Sequence, residues 1–292
     1  MVSTFPFLRL LKRLELDPCG CAFFLGAGCS LTAGIPLESE DAADVPSIAT
    51  RIRQMVYERY TGQRKANPRD VERWLKKKKW LQEQSTFYTD WLSLMEMTLE
   101  EGCRFRSQLL QGCSPAPGHY ALASLVAAKA IHYILTSNFD FLIERALGDM
   151  AIDVQVVTLD EAENLPALID SLSPLVIRLH TESAVLPPCA SSMTFTDAAE
   201  RVRRVLEVIL ENRSLVVVGY AGRDDFIMAP IAAWVSEVAP RSVQDIYWVV
   251  VKGTPLPSRV AAWQRQRPDR VWSIETVGSD VFLSELCARV IT

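Results

Sequence analysis

Short apolar runs of strand length recur along the chain, separated by stretches in which apolar positions return every three or four residues. The runs predict strands near 21–25, 132–136, 153–157, 175–179, 215–219, 246–251 and 271–275. The intervening periodicity predicts helices over 119–129, 140–148, 196–212, 225–238 and 281–290. The strands show little apolar–polar alternation, so both of their faces are covered. Buried strands alternating with amphipathic helices predict an α/β fold: a Rossmann-like, mostly parallel sheet with helices on both faces. Residues 38–114 break the rhythm. They hold no convincing strand and several helix-like pieces, among them "VPSIATRIRQMVYERY" and a longer one starting at Asp70, with Asn67-Pro68 marking a helix start. The expected organisation is a sheet domain from 1–37 and 115–292, with 38–114 a helical insertion after the first strand that caps the site. In such sheets ligands bind at the carboxyl ends of the strands.

Composition narrows the class. A chain of 292 residues, 49% of them hydrophobic, can bury a large core. A formal charge of −4 argues against a dedicated nucleic-acid binder. The run Lys76–Lys79, set between Trp74 and Trp80, is the local exception, to be read as a solvated helix face or a contact with nucleic acid or an acidic partner. Seven cysteines include no Cys-x-x-Cys pair, so no zinc ribbon and no bound metal are expected. The odd cysteine count and the lack of a signal-like segment point to a reducing, cytoplasmic setting, and no apolar run reaches membrane-spanning length.

The first strand runs into Gly26-Ala27-Gly28-Cys29-Ser30 and continues to Gly34-Ile35-Pro36. The third glycine of a G-x-G-x-x-G fingerprint arrives three positions late, and no Gly-Lys-Ser/Thr follows, so neither a dehydrogenase turn nor a P-loop is present. A strand–turn–helix here would aim the N–H groups from Ala27 to Ser30 at a pyrophosphate; a tight turn with no ligand is the alternative. Three further motifs follow. Pro115 precedes His119 and a Leu122/Leu125 helix face. "LTSNFD" ends a strand at Thr136, Asn138 and Asp140. "LVIRLH" ends another at His180.

In this order the motifs resemble the sirtuin superfamily, whose pattern reads Gly-Ala-Gly-x-Ser-x-x-x-Gly-Ile-Pro, Pro-x-x-x-His-x-x-Leu, Thr-x-Asn-x-Asp and a strand-end His. Within it, the zinc-ribbon-less NAD-hydrolase domains of bacterial anti-phage defence systems are similar also in a late Val-Gly-Tyr motif, here "VVGYAGRDD" over 217–225. Leu37-Glu38-Ser39 stands where protein deacylases continue Asp-Phe-Arg. The resemblance implies NAD as substrate and cleavage of its nicotinamide–ribose bond. It implies Asn138 and His180 as catalytic, orienting water and relaying a proton. Gly26, Ala27, Gly28, Ser30, Thr136, Asp140, Gly219 and Asp224 would bind the dinucleotide. Asp140 would face the nicotinamide carboxamide or cap the helix after it. Ser30 would touch ribose or phosphate, or cap its own helix. Asp224 would accept ribose hydroxyls. His119 and His132 read as structural. An NAD hydrolase must be held in check, so a homo-oligomer or a complex with a defence partner is expected. The competing functions are a silent NAD- or ADP-ribose-sensing module and an NAD-dependent deacylase.

Overall fold

The computed structural model describes residues 4–37, 46–64, 67–78, 99–169, 173–179, 195–237 and 244–291. In chain order the elements are α1 (Phe5–Leu16), β1 (Cys21–Leu25), two 3-10 turns (Ala27–Cys29 and Leu31–Ala33), α2 (Ile48–Thr61), α3 (Pro68–Lys77) and α4 (Leu99–Leu110). There follow α5 (Pro117–Ala127), β2 (Tyr133–Thr136), α6 (Leu142–Asp149), β3 (Gln155–Thr158), a 3-10 turn (Leu159–Asn164), α7 (Leu165–Ile169), β4 (Leu175–Arg178) and α8 (Phe195–Leu210). The chain closes with β5 (Ser214–Val218), α9 (Asp225–Glu237), β6 (Ile246–Val251), α10 (Ser258–Gln266), β7 (Val271–Thr276) and α11 (Ser279–Ile291).

Two compact units emerge. One comprises 1–33, 114–181 and 193–292; the other comprises 34–113 and 182–192. The first unit holds a seven-stranded sheet in the order β3-β4-β2-β1-β5-β6-β7, with every pairing parallel. Each predicted strand is present to within two residues. Parallel pairing follows from the long helical connections, which return each strand to the same end of the sheet.

The pleat divides the core in two. Phe23 and Leu25, Ile134, Val176, Val216 and Val218, and Tyr247 face a layer built from α1, α5, α6 and α11. Ala22 and Phe24, Leu135, Leu175 and Ile177, Val217 and Trp248 face α8, α9 and α10. Successive strand residues thus feed opposite layers, which is why the strands read as continuous apolar runs. Helix α1, not apparent in the sequence reading, buries Phe7, Leu10, Leu11 and Leu14. At its polar edge Arg9 pairs with the buried Asp245 at 2.8 Å, and Tyr247 donates to the same carboxylate at 3.1 Å.

The second unit is helical among its described residues. Ser47 caps α2 by accepting the Thr50 N–H at 3.2 Å, and Asn67 caps α3 by accepting that of Arg69 at 3.0 Å. The indole of Trp74 meets the ring of Tyr57 edge-on at 5.5 Å, joining α3 to α2. Lys76 pairs with Glu72 one turn back, as a solvated helix face does, while Lys79 lies outside the described residues. Among the described residues no helix is long and apolar enough to cross a membrane.

Candidate functional site

All seven strands end at one edge of the sheet, and the three central ones, β2, β1 and β5, carry most of the residues singled out by the motifs. Chain order reverses beside β1, whose neighbours are β2 and β5. Strand β1 releases the chain at Gly26. There the backbone meets the exit of β5: Gly26 N–H donates to Val218 O at 2.9 Å and Gly28 N–H to Gly219 O at 2.8 Å. The approach admits no side chains. A Cβ on Gly26 would fall 2.6 Å from Gly219 O, and one on Gly219 would fall 2.6 Å from Cys29 N. Gly219 also has φ of +68°, in the left-handed region. These glycines therefore weld two strand exits together.

That weld corrects one expectation. The glycine turn does not open an α-helix but passes through two 3-10 turns. The N–H groups of Cys29 and Ser30 close the first of those turns on Gly26 O and Ala27 O, at 3.0 and 3.1 Å. With Gly28 N–H on Gly219, three of the four N–H groups assigned to a pyrophosphate are already bonded. Short turns win because the Gly28–Gly219 contact pulls the chain back across β5 before a helix can propagate.

Ser30 neither caps a helix nor faces solvent. It is fully buried, and its hydroxyl donates to Asp140 Oδ2 at 2.7 Å while accepting from Asn138 Nδ2 at 3.1 Å. Asn138 Nδ2 also donates to Gly26 O at 3.2 Å, and its backbone N–H to Thr136 Oγ1 at 3.0 Å. Thr136 in turn donates to Leu25 O at 3.3 Å, tying β2 to β1. Asp140 Oδ1 accepts the N–H of Leu142 at the start of α6. Asp140 thus serves the helix start while its second oxygen serves Ser30. One acceptor is left over: Asn138 Oδ1 is buried with no hydrogen-bond partner. Such an atom costs about 1–3 kcal/mol unless something donates to it.

Sequence reasoning missed Arg178, on β4 opposite Thr136. Only 9% exposed, it donates to the carbonyls of Asn138 at 3.4 Å and Asp140 at 2.6 Å, and to Glu144 Oε1 at 2.5 Å. Its guanidinium lies 4.2 Å from the centre of the Phe141 ring. Burial raises the Glu144 carboxyl above its ordinary value, with Arg178 opposing the rise. An arginine inside the apolar run "LVIRLH" was the available signal, because a buried charge demands partners.

The remaining candidates separate. Gly219 sits at the exit of β5, and Asp224, half-buried, accepts the N–H groups of Ile227 and Met228 through its carbonyl as α9 begins. Ala27 opens the first 3-10 turn. His180 lies outside the described residues, two positions beyond Arg178. His119 holds a helix start: its Nδ1 accepts the N–H of Ala116 at 3.1 Å, and burial lowers its pKa. The thiol of Cys29, in the middle of the glycine turn, donates to Val218 O at 3.3 Å and is pushed up to about 12 by burial, so it is no nucleophile. Among the described residues no three His, Cys, Asp or Glu side chains are grouped to hold a metal ion.

Comparison with known proteins agrees with this architecture. No curated protein matches the chain in sequence. A triple mutant of a Sir2 homologue in complex with 2′-O-acetyl ADP-ribose superposes with a TM-score of 0.50 at 17% identity, over 97% of this chain and 96% of that one. A Sir2 homologue–NAD complex gives 0.47 at 17% identity, over 97% and 93% of the two chains. A structure reported for the mechanism and regulation of Sir2 enzymes gives 0.48 at 14% identity, over 98% of each. The first of these is a likeness of fold. Residues 132–269, from the start of β2 to the end of α10 and just under half of the chain, match the family described as the SIR2-like domain.

Proposed function

We propose that this chain is an NAD hydrolase of the sirtuin superfamily that cleaves the nicotinamide–ribose bond to give nicotinamide and ADP-ribose. The observation that carries the reading is the buried Ser30–Asn138–Asp140 network at the carboxyl ends of β1 and β2, with Asn138 Oδ1 left as its one unpaired acceptor. Breaking the bond releases neutral nicotinamide and leaves positive charge on the ribose. A site for it needs fixed dipoles near that charge and a held water or hydroxyl. Asn138 Oδ1 is suited to accept from a ribose hydroxyl or the attacking water, its amide being locked by the bonds of Nδ2 to Gly26 and Ser30. Ser30 and Asp140 then act as the brace of that amide. His180 supplies the proton relay that the motif order implies, and an imidazole titrating near neutrality suits it. Gly219 and Asp224 extend the site toward the adenosine half.

The biological role that fits is depletion of NAD in anti-phage defence, with turnover governed by assembly with itself or with a defence partner. A second reading is a module that binds NAD or ADP-ribose without cleaving it, favoured by Thr181-Glu182 following His180 where the similar hydrolase domains usually carry glycine. One experiment separates the readings: incubation with NAD, with and without an acetylated peptide. Free ADP-ribose in both arms is expected. Acetyl-ADP-ribose would mean a deacylase, and intact NAD a binding module. Asn138→Ala and His180→Ala are each expected to lower turnover by about 10²–10⁴-fold. Wild-type rates in both would remove these residues from the chemistry.

A further inference from the structure

We propose that Arg178 is a positioning residue that sets the Asn138–Asp140 segment, and through it the Asn138 amide, for cleavage of the nicotinamide–ribose bond; this rests on the hydrolase reading above. The segment is held from two sides. Its side chains bond inward to Ser30, and its carbonyls at 138 and 140 bond outward to the Arg178 guanidinium. The outward anchor is rigid, since Arg178 is registered against Thr136 on one side and Thr158 on the other. Phe141 remains 54% exposed while lying over the guanidinium, so its ring shields the cation rather than filling the core. A rotation of the segment would carry Asn138 Oδ1 away from whatever it orients, and misplacements near 1 Å cost about 10²-fold in rate.

The ion pair is poorly made for stability alone. Arg178 Nε and Glu144 Oε2 are both buried without hydrogen-bond partners, so the pair lacks the second bond of a full fork. Buried pairs of this kind are commonly replaced by apolar residues at no loss of stability. What apolar replacements cannot do is donate to two backbone carbonyls. Lysine, with a point charge in place of a planar fork, cannot reach all three acceptors at once.

The test uses the full chain with Arg178→Lys and the double variant Arg178→Met/Glu144→Leu, which keeps a folded protein in hand if the single change is destabilising. Two readouts are taken: steady-state NAD hydrolysis, and hydrogen exchange of the Asn138 side-chain amide by ¹⁵N NMR, assigned by its loss in Asn138→Asp. In both variants kcat is expected to fall at least about tenfold with KM within about threefold. Exchange at Asn138 is expected to rise at least about tenfold while backbone amides of β1 and β5 keep their protection. Unchanged exchange in the folded variants overturns the proposal, whether kcat falls or not, since Arg178 then does not act through Asn138. Faster exchange with wild-type kcat overturns it as well. If the wild-type chain cleaves no NAD, the hydrolase reading falls by itself, and the exchange readout alone decides whether Arg178 sets the amide.

Discussion

Replacing Gly219 by alanine tests the weld between β1 and β5, and Gly253 provides the matched control. Both glycines have positive φ, +68° and +84°, so alanine at either carries the left-handed penalty of about 1 kcal/mol. They differ in surroundings. A Cβ at Gly253 meets nothing within 4 Å, whereas at Gly219 it meets Cys29 N at 2.6 Å, Cys29 Sγ at 2.8 Å and Gly28 C at 2.9 Å. Two of those atoms are backbone, so the turn itself must retreat, which adds about 1–3 kcal/mol of overpacking. Retreat also stretches the Gly28 N–H bond to Gly219 O, worth about 1 kcal/mol net. The expected losses are about 3–5 kcal/mol for Gly219→Ala and about 1 kcal/mol for Gly253→Ala. In a unit of about 200 residues, each kcal/mol lowers Tm by about 2–4 °C. Thermal unfolding followed by circular dichroism should place Gly219→Ala about 6–20 °C below wild type, and Gly253→Ala about 2–4 °C below. A difference under about 2 °C between the two variants would refute the argument that close backbone approach, rather than φ, fixes Gly219.

The buried His119 gives a pH signature. Its folded pKa is lowered from 6.5, mainly by burial, with Asp140 and Asp280 pulling the other way, so below pH 6.5 the unfolded chain binds a proton that the folded chain refuses. Stability should therefore decline as pH falls from about 6.5 toward the lowered value, and His119→Gln should flatten that part of the urea-midpoint profile; an unchanged slope would show that His119 takes its proton freely in the fold. The cysteines provide another check. Cys21 and Cys29, both pushed up to about 12 by burial, should resist iodoacetamide at pH 8 in the native protein, while the partly exposed Cys19, Cys103, Cys113 and Cys287 react; mass spectrometry showing early labelling of Cys29 would mean that the turn opens.

The strands were legible because a parallel sheet covered on both faces leaves few positions for polar residues, and runs such as "FF" or "VVV" are β-rich and too short for a helix. The helical character of the described residues within 38–114 was legible for the opposite reason, since periodic patterns there were never interrupted by a β-rich run. The glycine turn was misread because the sequence shows how many glycines are present but not what they approach. The Gly28 contact with Gly219 joins positions 191 residues apart, and it diverts the chain from a helix. The reading of Ser30 as a cap of its own helix failed for a related reason: its acceptor, Asp140, comes from another strand exit. Arg178 was visible as an anomaly, a charge within an apolar strand, yet its partners, Glu144 on α6 and the carbonyls of Asn138 and Asp140 before it, could not be named without the register of β4 against β2. Local pattern reached the strands. The side-chain bonds that bring Ser30, Asn138, Asp140 and Arg178 together are long-range.

The central place of β1 has a consequence for biosynthesis. The strand emerges early, but its partners follow far behind: Tyr133–Thr136 on one edge and Ser214–Val218 on the other. At translation rates of about 5–20 residues per second, roughly 190 residues separating Cys21 from Ser214 correspond to about 10–40 s. For that interval "CAFFL" has one edge or both without a neighbour, and the sheet cannot be completed at its middle. A nascent chain of this topology is a natural client for a ribosome-associated chaperone, and its yield on expression should respond to chaperone supply more than its finished stability would suggest.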